Sequence, residues 1–211
     1  LEPGHRVLDI GSGWGGLGLY LAEMGGADVT GVTLSTEQLQ ISNARAAERN
    51  LTQSARFVLQ DYRDIPGPFD RIVSVGMFEH VGVAYYETFF KRCAELLSDD
   101  GIMMLHSIGR STGPDVTSPW IRKYIFPGGE LDFIGHSLQK LEAHRFEVHD
   151  VENWREHYGR TCRLCAERLR ANMDAAVEEI GPEKARVWLL YLAGCALAFE
   201  RGSVMINQTL A

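Results

Sequence analysis

The chain is short of cysteine, carries fewer basic than acidic residues and has no long apolar run. Four cysteines in 211 residues (Cys93, Cys162, Cys165, Cys195) are too sparse and irregular for a disulfide framework, so the fold must rest on a packed core. Cys162 and Cys165 make a single C-x-x-C, no second pair completes a zinc site, and both fall within one helical pattern, so they read as unlinked thiols. No H-E-x-x-H spacing occurs either, and no metal is expected. With 21 Lys and Arg against 28 Asp and Glu the formal charge is −7. That balance argues against nucleic acid, whose phosphates call for a basic face, and gives no help toward an anionic membrane surface. No apolar run reaches the length of a membrane span, and no charged-then-apolar signal segment opens the chain. A cytoplasmic location is the default expectation.

What is present is ordinary for a globular protein: 45% apolar and 23% charged residues. The length suits one domain, 1–211, with a core that needs no staples. "LEPGHRVLDIG" enters the first strand almost at once, which raises the expectation of a fragment that lacks whatever packs in front of it.

Strand and helix patterns alternate along the chain. Strands are predicted at 6–10, 28–34, 55–60, 69–75 and 101–108. Between them lie helices from Gly15 to Met24, over 35–50 and over 84–97. Ser35, with Gln38 three residues on, is a capping-box start. The alternation implies βαβ crossovers and a doubly wound, mostly parallel sheet with helices on both faces. After Gly109 comes "GRSTGPDVTSPWIRKYIFPGGE", too long for a simple connector and read as a functional excursion. A helix near 133–144 and a strand near 146–152 follow. One long helix is then predicted to Gly181, another over 183–202, and a closing strand over 203–210, seven strands in all.

The stretch "DIGSGWGG" holds Gly11, Gly13 and Gly16 in G-x-G-x-x-G spacing directly after the first strand. Such a turn lets a ligand approach the backbone while the next helix presents free N–H groups to a negative group. A dinucleotide site expects an acid at the end of the second strand, but "TGVTLS" carries none and offers Thr33 there. Asp9 instead gives D-x-G-x-G, familiar from S-adenosylmethionine-dependent methyltransferases. A nicotinamide dehydrogenase is the weaker reading.

Longer words sharpen this. "VLDIGSGWGGL", "GVTLSTEQ", "LQDYRD", "FDRIVSVGMFEHVG", "LHSIG", "PWIRKYIFPGG" and "LAGCALAFERG" occur in that order, and together they resemble the cyclopropane-fatty-acyl-phospholipid synthase family across nearly the whole chain. Mycolic acid cyclopropane synthases look similar. The resemblance implies a class I methyltransferase fold, Rossmann-like, with helical lipid-site insertions. It places the S-adenosylmethionine site over Val7 to Gly15, taking in Asp9, Gly11, Ser12, Gly13, Trp14 and Gly15, with Gly11 and Gly13 under the methionine part. Thr33, Leu34, Ser35 and Gln38 fall along the ribose, Tyr62 lies beside the adenine, and Asp61 is a further cofactor-site residue. Gln38 also reads as the closing half of a capping box, and Tyr62 as a half-buried aromatic at a strand end.

By the same resemblance a bound bicarbonate is the base, held by Glu79, His106, Tyr158 and the backbone at Ile108. These are apt groups for an anion that must accept a proton, since imidazole and phenol donate hydrogen bonds and a carboxylate takes a proton on. Cys195 matches a position long treated as the active-site cysteine, but the implied chemistry has no step for a thiol, and packing is its simpler role. Trp120, Tyr124, Phe126 and Trp154 read either as lining for an acyl tunnel or as core. Family members also carry an N-terminal segment over the cofactor and a cysteine in the anion site, and neither is in this sequence. The implied partners are unsaturated phospholipid acyl chains at the inner face of the membrane, with peripheral attachment and a homodimer as the candidate assembly. Two rivals stay open: methylation of a fatty acid or small amine without ring closure, and a non-catalytic cofactor-binding subunit.

Overall fold

The computed structural model describes residues 1–111 and 117–211. Its strands are β1 (Arg6–Ile10), β2 (Asp28–Thr33), β3 (Ala55–Leu59), β4 (Phe69–Val75), β5 (Leu97–Arg110), β6 (Asp150–Asn153) and β7 (Val204–Leu210). They form one sheet in the order β3-β2-β1-β4-β5-β7-β6. The first five pair in parallel. Met103 and Ala211 exchange both backbone hydrogen bonds, at 2.7 and 3.0 Å, the signature of antiparallel pairing between β5 and the end of the chain. The helices are α1 (Gly16–Gly25), α2 (Thr36–Glu48), α3 (Tyr86–Leu96), α4 (Pro119–Tyr124), α5 (Ile134–Ala143), α6 (Arg155–Ala171), α7 (Met173–Ile180) and α8 (Pro182–Glu200).

By internal packing the chain divides into two compact units. The first comprises Leu1–Ser107, Leu138–Val151 and Gln208–Ala211. Successive strand residues point to opposite faces, and each face builds its own core. Leu8, Ile10, Val32, Ile72, Met103 and Leu105 pack with Phe89, Phe90 and Leu96 of α3 and Leu141 of α5. Val7, Val29, Phe57 and Val73 pack instead with Leu19 and Ala22 of α1 and Ala46 of α2. Helices therefore cover both faces, as the alternation predicted.

The second unit comprises Ile108–Ser137 and Glu152–Asn207. The predicted single helix up to Gly181 is two helices, α6 and α7, broken at Asn172. The Asn172 side-chain amide donates to the Arg168 carbonyl at 2.8 Å, competing with the helical ladder as polar short side chains do. Arg155 Nη1 donates to the Phe199 and Glu200 carbonyls at 2.7 and 3.3 Å, satisfying the open end of α8. Cys162 and Cys165 share α6, as expected. The glycine-rich excursion contains α4, which the sequence reading missed, and its residues 112–116 lie outside the described ones.

Candidate active site

In the first unit, β1 ends on the glycine turn. Gly11 and Ser12 donate their backbone N–H groups to the Val32 carbonyl at 3.0 and 2.9 Å, which ties the turn to the end of β2. Gly11, Gly13 and Gly15 all have left-handed φ, at 79°, 53° and 80°. Two of them are packed in: a Cβ on Gly11 would lie 2.7 Å from Met77, and one on Gly15 2.7 Å from Ser42. Gly13 faces open space, with nothing within 4 Å of such a Cβ. A bound group can approach the backbone there.

Asp9 sits beneath this turn, only 2% exposed. Burial pushes its carboxyl up to about 7, and its Oδ2 has no hydrogen-bond partner among the described residues. A buried acid without a donor is costly unless something supplies one. A ligand with a cationic amino group would do so, and the open approach at Gly13 gives it room. Residues present at this strand end thus fit S-adenosylmethionine.

Around the turn, Ser35 caps α2 by accepting from the Gln38 N–H at 3.2 Å. The reciprocal half of the expected capping box does not form, because the Gln38 side chain accepts from the Thr33 hydroxyl at 2.7 Å while Thr33 accepts from the Ser35 N–H at 3.2 Å. Leu34 and Trp14 stand exposed, at 74% and 51%. Asp61 caps the short turn Tyr62–Asp64 through the Arg63 N–H at 2.9 Å. Hydrogen bonds from the Arg63 guanidinium hold its carboxyl below the ordinary range. The Tyr62 ring stands edge-on to Phe89, 5.4 Å between centroids, and burial pushes its hydroxyl up to about 12.

One strand further along lie Glu79 and His106, both 7% exposed. Val75 at the end of β4 pairs with His106 on β5, and the Gly76 N–H donates to the His106 carbonyl at 3.0 Å. The chain then turns through Phe78–His80, which buries Glu79. Both acid and imidazole therefore sit at the carboxyl ends of adjacent strands, the edge where ligands bind in open α/β sheets. Burial pushes the His106 imidazole down, favouring the neutral ring. Its Nδ1 lies 3.0 Å from the Gln208 amide nitrogen, a partner the sequence reading did not single out. Nothing in a local pattern marks Gln208, since the pairing depends on β5–β7 register.

The remaining candidates belong to the second unit. Ile108 continues β5 two residues beyond His106. Tyr158 lies in the first turn of α6, its ring 5.8 Å from that of Phe199. Cys195 lies on α8, where burial raises its thiol and a hydrogen bond from Tyr191 only partly offsets this. A thiol held protonated is a poor nucleophile. The four aromatics considered for a tunnel contact near neighbours: Trp120 meets Tyr124 at 5.8 Å, Phe126 meets Tyr191 at 5.9 Å, and Trp154 meets His157 at 5.0 Å. Among the described residues no cluster of three or more His, Cys, Asp or Glu could hold a metal ion. No described helix is long and apolar enough to cross a membrane.

Comparison with known proteins agrees with this architecture. Residues 1–209 match the family model described as mycolic acid cyclopropane synthetase. The chain is 40% identical over 210 residues to the cyclopropane-fatty-acyl-phospholipid synthase of Escherichia coli strain K12, covering all of this chain and 54% of that protein. It is 38% identical over 219 residues to the "Probable fatty acid methyltransferase" of Pseudomonas putida, covering all of this chain and 55% of that one. The chain thus spans about half the length of these curated relatives. The crystal structure of the mycolic acid cyclopropane synthase CmaA1 complexed with SAH and CTAB superposes with a TM-score of 0.92 at 33% identity, over all of this chain and 78% of that one.

Proposed function

This chain belongs to the mycolic acid cyclopropane synthetase family, and from that premise and the site geometry we propose that it acts in S-adenosylmethionine-dependent cyclopropanation of unsaturated phospholipid acyl chains, with bicarbonate as the base. The observation that carries the reading is the pair of buried groups, Glu79 and neutral His106, on the strand ends beside a glycine turn that overlies an unpartnered buried acid. S-adenosylmethionine, when bound, supplies an electrophilic methyl carbon.

Asp9 and the turn at Gly13 hold the donor's amino acid end, and Thr33 and Gln38 line its sugar. An alkene needs no base to attack a sulfonium methyl group, so the first step requires only exclusion of water from the cation it leaves on the lipid. Ring closure then removes a proton from the added carbon, which demands an acceptor that stays beside two successive cations. A neutral imidazole donates a hydrogen bond to an anion without quenching it, and Glu79 orients or relays the proton. The same role is proposed for the Ile108 amide and the Tyr158 hydroxyl on the resemblance alone. The lipid is met at the cytoplasmic face of a membrane, to which a homodimer attaches peripherally.

Vesicles of cis-unsaturated phospholipid incubated with protein and S-adenosylmethionine test the proposal. Cyclopropane methylene protons, well upfield of other lipid signals in proton NMR, are the expected product. Glu79→Gln is expected to lower the rate about a hundredfold or more while S-adenosylhomocysteine binding, by calorimetry, stays within about twofold. A methylene-branched product would favour the second reading, methylation without ring closure, which the 38% identity to the Pseudomonas putida protein keeps in play. Binding without any product would favour a non-catalytic subunit.

A further inference from the structure

We propose that Gln208 is a positioning residue that sets the tautomer of His106, so that the ring proton resides on Nε2. The pairing of Met103 with Ala211 fixes the register of β5 against the chain end. Three residues inward on each strand, His106 and Gln208 stand directly opposite one another, and opposed residues of an antiparallel pair project from the same face. There the Gln208 Nε2 atom lies 3.0 Å from His106 Nδ1. An amide nitrogen has no lone pair to offer, so it must be the donor and Nδ1 the acceptor. A neutral imidazole with Nδ1 as acceptor carries its proton on Nε2.

This matters for the site as proposed, on which the functional part of the inference rests. An Nε2–H donates to an anion, whereas the opposite tautomer would aim a lone pair at it. Burial pushes His106 down and keeps the ring neutral, so the choice between tautomers is a real one. Where a histidine ligates a metal, a polar partner that fixes ring orientation and proton location is worth about 10- to 100-fold, and the same order is expected here.

The test is long-range proton–nitrogen NMR of protein with 15N-labelled histidine, the His106 signals being assigned by their loss in His106→Gln. Wild type is expected to show an unprotonated Nδ1 and a protonated Nε2. Gln208→Glu, which presents an acceptor in place of the donor, is expected to move the proton to Nδ1. Gln208→Leu, which presents neither, is expected to give a mixture. Thermal midpoints of both variants identify any that fail to fold, and Gln208→Glu then carries the test. Where cyclopropanation is measured, Gln208→Glu is expected to lower kcat about 10- to 100-fold with the KM for S-adenosylmethionine unchanged. A wild-type Nδ1–H, or a tautomer indifferent to both substitutions, overturns the inference. Added bicarbonate is expected to perturb the His106 Nε2 signal. If it does not, while the tautomer still follows residue 208, the anion reading falls and the positioning role stands.

Discussion

The Thr33 hydroxyl donates to the Gln38 side-chain oxygen at 2.7 Å and itself accepts from the Ser35 N–H at 3.2 Å. One buried hydroxyl thereby joins the end of β2 to the first turn of α2. Thr33→Val keeps the shape and removes both bonds. It is expected to cost about 1–3 kcal/mol in urea unfolding, because the Ser35 N–H and the Gln38 amide lose their partner in a partly buried place. If the ribose edge is where proposed, S-adenosylhomocysteine affinity falls in the same variant; unchanged affinity would remove Thr33 from the site.

Asp9 makes stability depend on pH. Its carboxyl rises from 3.8 to about 7 on burial, so between those values the native state holds a proton that the unfolded chain has released. Stability is therefore expected to decline as pH rises from about 4 to 7 and to level off above, by up to about 4 kcal/mol at about 1.4 kcal/mol per unit. Asp9→Asn should flatten that decline, seen as urea midpoints that no longer fall across the range. A cationic ligand group would favour the ionised acid, so S-adenosylmethionine should bind more tightly at pH 7 than at pH 6 in wild type but not in Asp9→Asn.

Cys195 gives a simple contrast. Because burial keeps its thiol protonated, Cys195→Ala is expected to leave lipid turnover within about twofold, with only the modest stability loss of a trimmed side chain. A loss beyond tenfold at full folding, measured by product NMR, would restore a chemical role for the thiol.

Phe89 is fully buried and touches Phe78, Phe90 and Tyr62. Phe89→Ala should cost about 3–5 kcal/mol. Since Tyr62 loses the ring it stands against, S-adenosylhomocysteine binding should weaken as well if Tyr62 lies beside the adenine. Phe90→Ala, with comparable loss of stability and no ring contact to Tyr62 among those the structure shows, is the control.

β1 was legible as a short apolar run set before a glycine turn, and α3 by the helical spacing of Tyr86, Phe89, Phe90, Cys93 and Leu96. The glycine turn was legible because only glycine adopts its backbone so readily. What escaped depends on which side-chain hydrogen bonds form once the chain has folded. Asn172 breaks a helix that propensity alone would continue, by turning its side chain back on Arg168. Gln38 leaves its capping box for Thr33. The sequence left open whether Gln38 closes a capping box or lies along the ribose, and did not indicate its bond to Thr33. The strand near 146–152 is only Asp150–Asn153, and β5 starts four residues early, at Leu97. Gln208 could not be found at all, since its relation to His106 spans 102 residues and exists only once two strands have paired in register.

The three left-handed glycines of the turn are unequal, and this inequality makes the fold its own calibrated gauge. Filling position 11 or 15 jams the protein against itself, at Met77 or Ser42, so any weakness that follows is ambiguous. A methyl at position 13 meets no protein atom, and beyond the ~1–2 kcal/mol that alanine incurs in that backbone geometry, whatever affinity it removes measures how closely the guest molecule leans on the main chain.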